Sequence, residues 1–407
     1  MRMKSGIKAL IALIALHAGT AHAQSPMREQ ALRNAATDAG VIPLSEIQIE
    51  TDPDMVAIGA KLFESTLLSF NGKTSCQSCH LDKFSSADGL PNAVGTGGEG
   101  EGHHRLMSEG DIVPRNTLPF WGRGSKGFDT FFWDGKVKKF EGDIISQFGK
   151  DFPSTDPLVV AVHLPFVEIR EMVVRDEAVV AEYEKEGISP AKDIYATLVD
   201  RLKADQELST QLSDATNTET EELTFLNVAE SVAQFIRSNF AVEDTKFNTF
   251  MFDDGDLTKS ELQGGLIFYG KGQCSSCHSG PLMSDLDFHV MPFAQLGFGK
   301  NGFGVDYGRF NASLDEADIY KFRTPPLVNV TKTAPYSHSG AYETLEEMIK
   351  AHVDPLAKFN AGEYTATQRR EYLAKLSKWA INNEVPEPLS DDEIADLVSF
   401  LGTFETK

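Results

Sequence analysis

The sequence contains two copies of a short motif in which a histidine directly follows the second of two closely spaced cysteines. The motif residues are Cys76, Cys79 and His80 in the first copy, and Cys274, Cys277 and His278 in the second. In a C-x-x-C-H motif, the two thiols add to the vinyl groups of a haem and the histidine ligates its iron. The sequence therefore predicts two covalently bound haems c.

The two motifs use all four cysteines of the chain. A zinc site built from two C-x-x-C pairs is the alternative interpretation of such cysteines. The histidine directly after each second cysteine favours haem. One haem suffices to carry an electron, so the second must extend an electron path or perform a different task.

The first residues predict export. Arg2, Lys4 and Lys8 form a basic region, an apolar stretch follows, and a small-residue cleavage site ends at Ala23. This pattern is typical of a signal peptide over residues 1–23, and it is too short to span a membrane. No later apolar run approaches the ~20 residues of a membrane span. We expect a periplasmic protein without membrane insertion, which agrees with haem attachment outside the cytoplasmic membrane.

The composition allows two domains and disfavours some partners. The chain has 407 residues, of which 41% are hydrophobic, and a net charge of −22 that becomes more negative when the signal peptide is lost. Nucleic acid and anionic lipid surfaces are therefore disfavoured as partners. A basic protein partner is one interpretation of the charge, and simple solubility of an exported protein is the other.

The residues before each haem motif repeat a pattern. Gly59 is followed by Phe63 and the first motif, and Gly264 is followed by Phe268 and the second. This repeat indicates an internal duplication, and so two haem domains of cytochrome c type. The predicted domains are residues 24–240 and 241–407.

The remaining patterns are mainly helical. Val228, Val232 and Ile236 have the spacing of one helix face, and Ser390 with Glu393 forms a capping box at the start of the last helix. Strand signals are weak, and glycine-rich stretches are typical of loops. We expect a mainly α fold with two cytochrome c-like domains and long loops.

Several segments together resemble the bacterial dihaem cytochrome c peroxidase family, including its MauG branch. They are ADGLP at 87–91, PRNT at 114–117, FFWDGK at 131–136, FRTPPLVNVTKTAPYSHSG at 322–340 and TLEEM at 344–348. The resemblance covers roughly residues 55–405. It implies that the first haem reacts with peroxide and that the second relays or stores an electron.

The resemblance also implies a proton shuttle at the first haem. A peroxidatic iron needs an open sixth position and a nearby group that moves a proton between the peroxide oxygens. The family places a Glu six residues after a Pro and just before a Met, which here are Pro165, Glu171 and Met172. Glu171 is the predicted shuttle and Pro165 closes the distal pocket. An ordinary surface carboxylate on a helix is the alternative.

In conventional members a His is the sixth ligand of the first iron in the resting oxidised enzyme, and the residue at the matching position here is Thr96. Thr is not a credible ligand, so the first haem resembles the open haem of MauG. His103 and His104 are candidate substitutes, or simply a solvated pair in a loop. The Gln that the family places before the Pro is Ala161, with His163 nearby as a candidate replacement or an uninvolved histidine.

The second haem is expected to have two protein ligands, the first being His278. The family places the sixth ligand eight residues after the Thr of TLEE, and counting from Thr344 gives His352. Thr344 and Glu347 match a capping box, and helical spacing puts His352 on the buried face. Met348 lies on the same face and is the rival ligand. Two histidines give a lower reduction potential than a histidine and a methionine.

Trp133, in FFWDGK, matches the aromatic residue that the family places between its haems, where an indole can pass an electron. A tryptophan that fills core volume is the alternative. Asn116, with the backbone carbonyls of Thr333 and Pro335, matches a calcium site of the family, and oxygen ligands suit Ca²⁺. Within the segment 322–340, the family has an Arg at the position that Val328 occupies in this chain.

The resemblance predicts a periplasmic dihaem peroxidase closest to MauG. It would react with H₂O₂ at the haem on His80, form high-valent haem shared with the haem on His278, and oxidise a partner protein, with tryptophan modification as in the methanobactin-associated relatives. A peroxidase that detoxifies H₂O₂ with electrons from a small cytochrome or copper protein is the second hypothesis. A dihaem electron carrier without enzymatic activity is the third.

Overall fold

The fold is mainly helical, as the sequence predicts. The computed structural model describes residues 26–149, 154–174, 191–356, 359, 362, 364–382 and 387–406, so the predicted signal peptide lies outside the described residues. None of the helices in these ranges is long and apolar enough to cross a membrane. The helices are 26–38, Pro53–Glu64, His103–Leu106, Pro157–His163, Ala191–Ala204, Gln206–Thr216, Phe225–Asn239, Lys246–Phe252, Lys259–Tyr269, Phe310–Ser313, Leu345–Val353, Ala366–Asn382 and Asp391–Leu401.

The strands are short and form small antiparallel sheets between the helices. The described strands pair as Ala93–Val94 with Ile112–Val113, Thr130–Phe131 with Val137–Phe140 and Asp143–Ser146, Phe288–Val290 with Lys321–Arg323, and Phe298–Gly299 with Gly302–Phe303. They organise long loops rather than a central sheet.

A glycine allows two helices of the first half to cross closely. The helix Pro53–Glu64 packs across the helix Phe225–Asn239 at Gly59. A Cβ atom on Gly59 would lie 2.0 Å from the backbone oxygen of Ser231, far inside van der Waals contact. Glycine is therefore required by the close approach of the two backbones.

The second half repeats this arrangement. The helix Lys259–Tyr269 crosses the helix Asp391–Leu401 at Gly264, and a Cβ there would lie 2.0 Å from the backbone oxygen of Asp396. The repeated glycines of the sequence therefore mark equivalent helix crossings. Each crossing lies just before a haem motif.

We expect Gly264→Ala to destabilise the protein by about 1–3 kcal/mol, because the added methyl group forces the helices apart. Gly402→Ala is the matched control, since a Cβ on Gly402 meets no atom within 4 Å. Thermal unfolding of the haem-loaded proteins measures both. Equal midpoints for the two variants would show that the crossing tolerates a side chain.

The hydrophobic side chains form two large clusters. The first is built mostly from residues 44–242 and the second mostly from residues 247–404. The helix 26–38 and the loop after it contribute Leu32, Ala36 and Val41 to the second cluster. The N-terminal segment thus packs on the C-terminal half, whereas the domain boundary at 240 stays a prediction.

Side-chain caps fix the helices near the second motif. The predicted capping box of Ser390 and Glu393 forms with both of its hydrogen bonds. At the other predicted box, the Thr344 hydroxyl accepts a hydrogen bond from the Glu347 N–H at 3.2 Å. The Glu347 carboxylate accepts from the N–H of Glu343 at 3.0 Å instead of from Thr344. The helix therefore begins at the predicted residue, but the second hydrogen bond of the capping box goes to the N–H of Glu343 and not to that of Thr344.

Candidate active site

The first haem motif is a single turn that fixes its histidine. The N–H groups of Cys79 and His80 donate to the Cys76 carbonyl at 3.2 and 3.0 Å. The His80 Nδ1 lies 2.8 Å from the Ser86 carbonyl, which holds the ring and leaves Nε2 as the ligating atom. Burial lowers the pKa of His80 to about 3, so the imidazole is neutral, as ligation requires.

A large cavity lies beside this turn. It is partly open to solvent, and its lining is mainly apolar. Its wall contains the first motif together with all three predicted catalytic residues. These wall residues are Cys76, Cys79, His80, Trp133, Pro165 and Glu171. This set of two thiols and one imidazole fits a haem attached through the two cysteines.

The second motif forms the same turn. The backbone N–H of His278 donates to the Cys274 carbonyl at 2.9 Å. The ring Nδ1 of His278 lies 3.0 Å from the Met283 carbonyl. Burial lowers the pKa of His278 to about 4, which again keeps the imidazole neutral. The second motif therefore presents one Nε2 atom for a metal, as the first does.

His352 faces His278 across a gap. Its Nδ1 lies 2.8 Å from the Met348 carbonyl, and the centroids of the two imidazoles are 6.5 Å apart. These two histidines would hold the second haem iron through their Nε2 atoms. The Met348 side chain packs in the second hydrophobic cluster. The geometry supports His352 as the sixth ligand, which stays a prediction.

Glu171 lies in a turn after the short helix Pro165–Val167, not on a helix surface. Burial raises the pKa of its carboxyl, the Lys136 ammonium lowers it in part, and the Glu168 carboxylate raises it. Lys136 is ion-paired with Glu168 and lies 4.5 Å from the centre of the Phe132 ring. Lys136 and Glu171 both line the cavity. Glu171 is thus half-buried, with its carboxyl group beside a fixed cation.

The backbone of this turn is also fixed. Arg170 has a φ of 79°, which is unusual for a residue other than glycine. Its N–H donates to the Val173 carbonyl, and its own carbonyl accepts from the Thr96 N–H, both at 2.8 Å. The Thr96 hydroxyl donates to Asp111 at 3.2 Å. Thr96 therefore supports the Glu171 turn and does not belong to the cavity wall as described.

The other candidate histidines lie away from the described cavity wall. His103 and His104 are exposed on a short helix. His163 is buried among aromatic side chains, and its Nδ1 lies 2.7 Å from the Val159 carbonyl. Ala161 is the neighbour that lines the cavity. His80 is therefore the one histidine in the part of the wall that the structure describes.

Trp133 connects the cavity to the second half of the chain. Its indole N–H donates to the Asn116 carbonyl at 2.9 Å, and the Asn116 N–H donates to the His338 carbonyl at 2.8 Å. The indole and imidazole centroids of Trp133 and His338 are 6.4 Å apart. His338 thus lies beside Trp133 and not in the described wall. The orientation of the indole is fixed, as an electron path would require.

The predicted calcium ligands partly converge. The side-chain amide of Asn116 donates to the Pro335 carbonyl at 2.6 Å and lies 3.3 Å from the Ser337 carbonyl. The Thr333 hydroxyl donates to Val330 at 3.2 Å. Asn116 therefore meets backbone oxygens of the second half where the sequence predicts Ca²⁺, and the ion stays a prediction.

A buried charge network behind Trp133 was not predicted. Arg115 forms ion pairs with Asp134 at 2.7 Å and with Asp306 at 2.9 Å. Burial alone would lower the pKa of Arg115, but the two carboxylates raise it. Lys300 lies 3.6 Å from Asp134 and lines the cavity. Arg115, Asp134 and Lys136 all belong to the PRNT and FFWDGK segments, which is the signal that would have pointed to them.

The helical fold and the two histidine-bearing turns define a dihaem protein of cytochrome c type. The family described as di-haem cytochrome c peroxidase matches residues 53–256. The chain belongs to this family and is a peroxidase. The resemblance and the enzyme class predicted from sequence are thus confirmed.

Individual relatives agree with this assignment. The cytochrome-c peroxidase IdrP1 of Denitromonas iodatirespirans is 26% identical over 391 residues, covering 88% of this chain and 84% of the relative. The methylamine utilization protein MauG of Methylorubrum extorquens is 26% identical over 359 residues, covering 87% and 79%. The MauG-like branch is consistent with both.

Solved structures share the fold. A MauG-like protein associated with microbial copper homeostasis has a TM-score of 0.63 at 22% identity, covering 90% of this chain and 93% of that chain. The diheme peroxidase BthA of Burkholderia thailandensis has a TM-score of 0.63 at 18% identity, covering 90% and 89%. The mainly α fold extends over nearly the whole chain.

Proposed function

We propose that this peroxidase acts on H₂O₂ in the cavity beside His80, without reductive activation, and takes electrons from a partner protein. One observation carries the proposal: Glu171, Pro165 and Trp133 line the cavity of the first motif, and its described wall contains no histidine besides His80. The second motif has His352 opposite His278 instead. The two sites therefore suit different tasks.

The haem held by Cys76, Cys79 and His80 would supply the redox chemistry for cleaving the peroxide bond. Glu171 accepts the proton of the inner peroxide oxygen and returns it to the outer oxygen, so that water leaves. Burial and the Lys136 ammonium act on its pKa in opposite directions, which suits a group that both takes and gives a proton. Pro165 and its neighbours limit the access of water.

Lys136→Met is expected to shift the pH dependence of the reaction. Loss of the ammonium removes the charge that favours the ionised carboxyl, so the pKa of Glu171 rises further. Because the ionised form accepts the proton, the acidic limb of the rate profile moves to higher pH. Stopped-flow rates with H₂O₂ between about pH 5 and 9 measure this. Lys126→Met, at an exposed position, is the control, and an unmoved limb in Lys136→Met contradicts the assignment.

The electronic states of the two haems test the proposal directly. We expect the oxidised protein to give one high-spin and one low-spin EPR signal, and one equivalent of H₂O₂ to remove both without prior reduction. Two low-spin signals that do not respond to peroxide overturn it. Repeating the test after one-electron reduction then separates a conventional peroxidase, which becomes reactive, from an electron carrier, which does not.

The source of electrons distinguishes MauG-type chemistry from detoxification. A protein substrate that is oxidised at an aromatic side chain such as Trp changes its mass permanently, whereas a donor cytochrome or copper protein is recycled. The net charge of −22 suits a basic partner. We expect peroxide to change the mass of a candidate partner in the presence of this enzyme. Rapid turnover of reduced cytochrome c, with no mass change, would favour detoxification.

Two further assignments belong to the proposal. The basic and apolar N-terminal residues indicate export to the periplasm, which fractionation of expressing cells tests. Asn116, Pro335 and Thr333 are the proposed Ca²⁺ ligands, because Asn116 contacts the Pro335 carbonyl and carbonyl oxygens suit Ca²⁺. A chelated protein whose thermal midpoint does not rise with added Ca²⁺ lacks this site.

A further inference from the structure

Two buried arginines near the cavity have no carboxylate partner among the residues that the structure describes. Arg323 is 1% exposed and Arg123 is 7% exposed. Arg323 donates from Nε to the Phe132 carbonyl at 3.0 Å and from Nη1 to the Thr324 carbonyl at 3.1 Å. Its Nη2 has no hydrogen-bond partner within the described ranges. The Arg123 guanidinium lies 5.3 Å from the centre of the Phe120 ring.

This arrangement contrasts with Arg115, which has two carboxylates. Burial lowers the pKa of Arg323 to about 10, with Asp285 opposing the shift. Burial also lowers the pKa of Arg123, and the charge of Arg323 lowers it further. Two like charges are therefore buried close to each other. A buried charge without an opposite charge is costly, so the pair indicates an anionic group.

The position of the arginines identifies the anion. Arg123 lines the cavity together with Cys76, Cys79 and His80. Arg323 donates its backbone N–H to Trp133 and its Nε to Phe132, which are both wall residues. A haem tethered at the two cysteines would occupy this cavity and would bring two propionate carboxylates to it.

We propose that Arg123 and Arg323 bind the propionate carboxylates of the haem attached at Cys76 and Cys79. Guanidinium groups match carboxylates in charge and planar geometry.

The arginines then set the redox balance of the first haem. Cations beside the propionates favour the form of the cofactor that carries the additional electron, and so raise its reduction potential. Removal of a guanidinium leaves a buried negative charge unbalanced and lowers this potential. The haem near His278 and His352 keeps its own charge environment.

Redox titration of the haem-loaded protein tests the proposal without peroxide or turnover. Arg323→Leu and Arg123→Leu are expected to lower the midpoint potential of the high-spin haem and to leave that of the low-spin haem nearly unchanged. Arg323→Lys keeps the charge and is expected to retain most of the wild-type potential. Arg370→Leu, which removes an exposed arginine, is the control and should change neither haem.

The proposal is overturned if the midpoint potential of the first haem is unchanged in both leucine variants and both retain full haem content. It is also overturned by a shift that falls on the low-spin haem, which would place the arginines at the second cofactor. If Arg323→Leu does not fold, Arg123→Leu and Arg323→Lys still test the proposal. Arg123→Leu is expected to lower the potential of the first haem, whereas Arg323→Lys is expected to retain most of it. Failure of the proposed peroxide reaction would leave these potentials measurable, so the two outcomes are separable.

Discussion

Replacement of Glu171 by glutamine is expected to slow the reaction with H₂O₂ by about 10²–10⁴-fold, the usual contribution of a positioned acid–base group. The glutamine side chain keeps the size of the original one but cannot accept the proton of the inner peroxide oxygen. The carboxyl lies in the cavity wall, in a turn whose backbone is held by Thr96 and Val173. A loss of activity can therefore be assigned to proton transfer.

Stopped-flow absorbance changes of the haems, recorded at several peroxide concentrations, give the rate constant. Glu99→Gln removes an exposed carboxylate and is the matched control. The acidic limb of the pH profile should also disappear in Glu171→Gln, which a merely structural change would not cause. A rate within a factor of about three of wild type would place the proton shuttle elsewhere.

Replacement of His352 by alanine is expected to abolish the low-spin EPR signal of the second haem. His352 faces His278 with 6.5 Å between the ring centroids, so its loss would remove one of the two histidines that would hold the second haem. His352→Met is expected to keep a six-coordinate haem with a higher reduction potential, because a thioether ligand raises it. Axial ligands and their surroundings tune haem potentials over about 0.8 V.

Met348→Leu is the matched control, because Met348 is the rival ligand on the same helix. Its side chain packs in the second hydrophobic cluster, and a leucine of similar volume is expected to preserve that packing. The low-spin signal should therefore persist in Met348→Leu. The opposite pattern, with the signal lost in Met348→Leu and kept in His352→Ala, would identify Met348 as the ligand.

Much of this architecture was accessible from the sequence. The C-x-x-C-H motifs carry their chemistry within a few consecutive residues, so local spacing suffices to identify them. The repeated Gly59 and Gly264 indicated a duplication, and the structure shows their physical reason in two helix crossings. Helical spacing also placed His352 on the buried face of its helix.

Other features depend on contacts between distant residues. Asp306 pairs with Arg115 from 191 positions further along the chain, within a glycine-rich loop that has no periodic pattern. The buried charges of Arg123 and Arg323 are invisible without the fold, because burial is a property of the packed chain. The packing of the helix 26–38 on the C-terminal cluster also depends on the fold, and the domain limit at residue 240 stays a prediction.

The hairpin Phe298–Gly299 with Gly302–Phe303 is linked to the buried charge network behind Trp133. Its two phenylalanines are about half exposed, while Lys300 in its turn reaches the cavity and Asp134. Asp306 accepts from the backbone of this loop and pairs with buried Arg115. Removal of one partner of this buried ion pair would leave an uncompensated charge, at a cost of about 3–5 kcal/mol. Charged and hydrogen-bonded residues therefore join the exposed aromatic tip of the hairpin to the segment that carries Trp133.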